Sequence, residues 1–125
     1  MARILIVDDD AIFGWVTQRK LQKAGHVVAV RGGPLGAFAD VKEGGYDLLL
    51  LDLRMPALSG ADIVRMLRSR KGITTKIVLY SSADEDELAE QAQKLGVEGY
   101  ASKAQMSRLL DVISSVLAGR AAASA

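Results

Sequence analysis

Hydrophobic and polar positions along the chain alternate between two kinds of segment. Unbroken apolar runs of strand length occur at Ile4–Val7, Val27–Val30, Leu48–Leu51 and Ile77–Tyr80, with a weaker one at Gly99–Ala101. An apolar residue at every position, rather than every second one, marks a strand covered on both faces, so the first four are expected inside a parallel sheet. Between the runs, apolar residues recur at helical spacing. The segments are Ala11–Ala24, ended by Gly25; Leu35–Lys42, with Pro34 near its start; Gly60–Arg70, stopped by Gly72; a stretch opened by Ser82 and ended by Gly96; and Ala104–Ala118. Ser82 and Glu85 have capping-box spacing, and acidic residues crowd the positive end of that fourth helix. Five strand–helix pairs in strict alternation predict an α/β domain with helices on both faces of one sheet.

Composition narrows the class. The chain has 125 residues, 50% of them hydrophobic and 25% charged, with a formal net charge of +1. That predicts one globular domain over residues 2–118 followed by a flexible tail at 119–125, with no room for a second, effector-type domain. A near-neutral balance argues against a nucleic-acid surface. The absence of cysteine excludes disulfides, thiolate zinc sites and thiol nucleophiles. No apolar run approaches the ~20 residues of a membrane span and no leader-like segment precedes the first strand, so a cytoplasmic protein is expected.

In such sheets ligands gather where strands end. The first strand is followed by Asp8, Asp9 and Asp10, the third by Asp52, the fourth by Ser81 and Ser82, and the fifth by Ser102 and Lys103. Carboxylates from two strand ends form a hard oxygen shell suited to Mg²⁺. A lysine and a hydroxyl facing the same point suit a phosphoryl group.

The ordered stretches "ILIVDDD", "DLLLLDLRMPALSG", "IVLYSSA" and "GYASK" resemble the receiver domain of bacterial two-component response regulators, a likeness that runs from Arg3 to about Leu117. The resemblance implies a flavodoxin-like, doubly wound α/β fold: a five-stranded parallel sheet in the order 2-1-3-4-5, flanked by five helices. It implies that Asp52 is the phosphoacceptor. Asp8, Asp9, Asp52 and the backbone carbonyl of Arg54 would hold Mg²⁺, or Mn²⁺ in its place. Ser81 matches the switch hydroxyl, Lys103 the cation that grips a phosphoryl oxygen, and Tyr100 the aromatic ring that turns inward with the hydroxyl. The implied partners are a sensor histidine kinase or histidine phosphotransfer protein and a further downstream protein, without direct contact to nucleic acid or membrane. A monomer or a weak phosphorylation-dependent dimer is implied. Where the family usually has proline after the lysine, this chain has Ala104; a cis bond there would cost ~3 kcal/mol, so a trans loop is expected. Arg54 stands two residues beyond the acceptor, placed either to shield the acyl phosphate or to pair with Asp10.

Other residues have plainer expectations. Asp10 is expected to cap the first helix, and Ser82 the fourth. His26, the only histidine, follows Gly25 and is expected in a loop. On a helical wheel Phe13, Val16, Thr17 and Ala24 share one face with Leu21 at its edge, while Trp15 points roughly opposite. Ile12, Phe13 and Trp15 are thus candidates for docking a kinase or phosphotransfer helix bundle, the alternative being that Trp15 lies across its neighbours. Two further function classes stay open: a degenerate receiver acting as a phosphate-independent interaction module, and a phosphatase of the haloacid-dehalogenase type. The second expects a cap and a late acidic motif, where this chain has only "GYASKAQ".

Overall fold

The computed structural model describes residues 1–55, 59–70 and 72–119. Its elements alternate as expected: β1 (Arg3–Val7), α1 (Ala11–Lys23), β2 (Val27–Arg31), α2 (Ala37–Gly44), β3 (Leu48–Asp52), α3 (Gly60–Arg68), β4 (Lys76–Ser81), α4 (Glu85–Leu95), β5 (Gly99–Ser102) and α5 (Met106–Leu117). All neighbouring strands pair in parallel, in the order β2-β1-β3-β4-β5. Two cores result from the period-two alternation of strand side chains. Ile4, Ile6, Leu48, Leu50, Val78 and Tyr80 pack with Leu21 of α1 and Leu109, Val112, Ile113 and Val116 of α5. Leu5, Val7, Leu49, Leu51, Ile77 and Leu79 pack with residues of α2, α3 and α4 on the opposite face. Continuous apolar runs were needed because each strand feeds both cores.

Departures from the sequence expectations have local causes. β2 is an edge strand whose Val28 and Val30 pack in one core and Ala29 against the other, but Val27 at its start stays half exposed. Within α1, Leu21 lies at the centre of the buried face, whereas Ala24 is an exposed C-cap. α2 starts at Ala37 rather than Leu35, since Gly36 before it is left-handed at φ 82°, a conformation glycine adopts without steric penalty. α4 is capped by Asp84, whose side chain accepts from the Asp86 N–H, and the exposed Ser82 lies upstream of the cap. α5 begins at Met106, two residues later than expected, because Ser102 turns the chain first. Its hydroxyl accepts from the Ala104 N–H and its carbonyl from that of Gln105. No cis peptide bond occurs among the described residues, in keeping with the trans loop expected at Ala104. Of the expected tail, only Gly119 lies within the described residues, and Pro56 of the "LRMP" stretch lies outside them.

Candidate phosphoacceptor site

β1 and β3 are central neighbours, so their carboxyl ends deliver acidic residues to one point at the top of the sheet. Asp8 is fully buried, Asp52 is 4% exposed and Asp9 is open to solvent. Each can offer a carboxylate oxygen within 4.8 Å of the others. Asp10, next in line, does what the sequence predicts: its Oδ1 accepts from the Phe13 N–H and caps α1.

The counter-charge comes from the far side of the sheet. Lys103 follows β5, and its Nζ donates to Asp8 Oδ1 at 3.1 Å and to Asp52 Oδ2 at 3.0 Å. Asp8 is further held by the Asp10 N–H at 2.9 Å and by the Tyr80 hydroxyl, which donates to Oδ2 at 2.6 Å. Among the described residues, Asp52 receives the Arg54 N–H, at 3.2 Å, besides Lys103. These unequal environments separate the two acids. Burial alone would raise Asp8, but the bonds from Tyr80, Asp10 and Lys103 together hold it below the ordinary carboxylate range. Burial dominates at Asp52 and pushes it up to about 6, against the weaker pull of Lys103 and the Arg54 N–H. Lys103 would be lowered by burial, yet its bonds to Asp52 and Asp8 leave it raised and firmly charged. Three carboxylates around one ammonium leave an excess of negative charge. Their oxygen donors and the opening beside Asp9 fit a hard divalent cation.

The other expected residues are distributed around this centre. Ser81 is 1% exposed at the end of β4, with its hydroxyl accepting from the Ala83 N–H and its carbonyl from the Lys103 N–H. Tyr100 is half-buried against the core shared by α3 and α4. Arg54 does not pair with Asp10. Its guanidinium pairs with Glu87 in the first turn of α4. Ile12 and Trp15 are exposed on α1, with the Arg19 guanidinium 5.4 Å from the centre of the Trp15 ring; Phe13 instead turns inward. His26 sits in the turn before β2, where Nδ1 accepts from the Ala2 N–H. The sequence reading missed Tyr80, whose hydroxyl reaches into the acidic cluster. Its signal was indirect: a tyrosine in an otherwise aliphatic run, immediately before Ser81.

The end of β3 is held tightly to α3. A Cβ on Gly60 would lie 2.5 Å from the Asp52 carbonyl oxygen and 3.0 Å from the Leu53 Cα, both rigid backbone atoms. Gly60→Ala is therefore expected to destabilise the fold by about 1–3 kcal/mol, read by urea unfolding, through forced separation of the β3 end and α3. An unchanged midpoint would show that α3 moves aside freely.

Comparison with known proteins agrees with this geometry. The model of the response regulator receiver domain family matches residues 4–114, and the chain belongs to that family. The sensory transduction protein RegX3 of Mycolicibacterium smegmatis is 30% identical over 110 residues, covering 88% of this chain and 47% of its own length. The transcriptional regulatory protein CusR of Escherichia coli is 35% identical over 102 residues, covering 81% of this chain and 44% of its own length. The chain thus spans about half the length of these curated relatives. In fold it is similar to the chemotaxis protein CheY4 of Vibrio cholerae, with a TM-score of 0.83 at 24% identity, covering 93% of this chain and 98% of that one. Among the described residues, no helix is long and apolar enough to cross a membrane.

Proposed function

We propose that this receiver domain accepts a phosphoryl group on Asp52 from the phosphohistidine of a sensor kinase or phosphotransfer protein, and that the modification switches a partner-binding surface. The observation that carries the reading is the meeting of Asp8, Asp9 and Asp52 oxygens within 4.8 Å, with Lys103 bonded to both buried acids. A carboxylate oxygen of Asp52 attacks phosphorus, the P–N bond to the histidine breaks, and an acyl phosphate results. Asp8, Asp9, Asp52 and the Arg54 carbonyl would hold Mg²⁺ or Mn²⁺. The ion supplies charge neutralisation for the transferring group. Lys103 is placed to follow the phosphoryl oxygens as a point charge. The Ser81 hydroxyl accepts from the local Ala83 N–H, a bond it can exchange for a phosphoryl oxygen. Tyr100, half-buried beside α4, is positioned to turn with it. Ile12 and Trp15 present the apolar contact for the donor's helices.

The test is addition of Mg²⁺ and beryllofluoride, a phosphoryl mimic, followed through the fluorescence of Trp15 and the backbone NMR spectrum. A saturable change centred on Asp52, Ser81 and Tyr100, reversed by a chelator, is the expected result. Silence of the spectrum would favour an interaction module that phosphate does not switch.

A further inference from the structure

Tyr80 is a large polar side chain in the site that the chemistry above leaves without a task. It is fully buried at the end of β4, in register beside Asp52. Strand alternation turns it toward α1 and α5, where its ring centre lies 5.5 Å from that of Phe13. The Lys103 ammonium lies 5.0 Å from the centre of each of these two rings. That ammonium therefore has two carboxylates and two aromatic rings for neighbours, which satisfies a buried cation by charge and by ring quadrupole together. Asp8 is equally constrained: the Asp10 N–H binds Oδ1, the Tyr80 hydroxyl binds Oδ2 and the Lys103 ammonium lies 3.1 Å from both, fixing the plane of the carboxylate.

Packing alone does not account for the hydroxyl. Phenylalanine would fill the same volume without bringing a polar oxygen into an apolar core. The bond to Asp8 is what satisfies that oxygen, and it spans the sheet from β4 to β1 across β3.

We propose that Tyr80 is a positioning residue of the phosphoacceptor site, its hydroxyl orienting Asp8 for cation binding and its ring, with that of Phe13, holding Lys103 between Asp8 and Asp52. The inference rests on the receiver reading given above. Partners that orient a metal-binding carboxylate contribute heavily to metal affinity, and their removal weakens binding by about 10–100-fold.

The experiment compares the wild-type chain with Tyr80→Phe and Tyr80→Leu. Mg²⁺ binding is measured by calorimetry, and phosphorylation by a small acyl-phosphate donor is followed at varied Mg²⁺. Tyr80→Phe keeps the ring, so it is expected to bind Mg²⁺ about tenfold more weakly, with an unchanged maximal rate at saturating Mg²⁺ and an unchanged circular dichroism spectrum. Tyr80→Leu removes the ring as well, and is expected to lower the maximal rate because Lys103 is no longer held. A purely structural tyrosine would show the opposite pattern: loss of stability in the leucine variant with Mg²⁺ affinity untouched in both. Wild-type Mg²⁺ affinity in Tyr80→Phe overturns the positioning role and leaves the receiver reading standing. Failure of the wild-type chain itself to bind Mg²⁺ or accept phosphate overturns that reading, and the proposal with it.

Discussion

Asp52→Asn is expected to abolish phosphorylation and, in metal-free buffer at neutral pH, to make the protein more stable. The first effect follows from chemistry, since the amide oxygen of asparagine cannot form the acyl phosphate under these conditions. The second follows from linkage. Burial raises Asp52 from its ordinary 3.8 to about 6 in the folded chain. A raised carboxyl binds its proton more tightly in the folded state than in the unfolded one, so the folded protein loses stability as pH climbs from about 4 to about 6. Asparagine carries no such dependence. Its advantage over aspartate should be small near pH 4 and reach about 3 kcal/mol at pH 7, measured as the difference in urea unfolding free energies. Saturating Mg²⁺ should shrink or reverse that advantage, because a cation bound by the folded chain stabilises the charged wild-type cluster. A pH-independent difference would mean that Asp52 is well solvated after all.

Lys103→Met should have the largest effect on stability. The methionine preserves length and apolar volume but leaves Asp8 and Asp52 facing each other without the ammonium that both now bind. Removing one partner from a buried charge cluster costs about 3–5 kcal/mol. The sign of its pH dependence is fixed by what remains. Without Lys103 both acids titrate at higher pH in the folded state, so protons are taken up on folding and the loss is relieved as pH falls from 8 to 5. Added Mg²⁺ should restore the variant more than it stabilises the wild type, by taking the place of the missing charge. Thermal unfolding across this pH range, with and without Mg²⁺, reads both effects. A loss below 1 kcal/mol at pH 8, flat with pH, would remove Lys103 from its assigned role (that bound is roughly the worth of an exposed pair).

Much of the fold was legible in the sequence because each position of the apolar runs Ile4–Val7, Leu48–Leu51 and Ile77–Tyr80 is apolar for its own reason: odd and even residues serve different cores. The acidic cluster was legible for a related reason, namely that Asp8 and Asp52 directly terminate two such runs. What escaped was decided by side chains meeting across the fold. Tyr80 read as one more apolar strand residue, and only the register that sets it beside Asp52, one strand away from Asp8, reveals its hydroxyl as part of the site. The sequence neighbours of Arg54 do not reveal its partner, because Glu87 is brought near by the packing of α4. Ser82 and Glu85 had the spacing of a cap, yet Asp84 was equally suited and closer to the first helical turn.

Helix α4 is fastened at its exposed first turn by two ion pairs, Arg54 with Glu87 on one side and Arg108 with Glu85, at 3.8 Å, on the other. Pairs so open to water each contribute roughly 0–1 kcal/mol and are screened over a Debye length of about 8 Å at physiological ionic strength. The helix is thus moored by lines that salt slackens, and its readiness to shift is a property that the surrounding electrolyte can tune without touching the acidic centre.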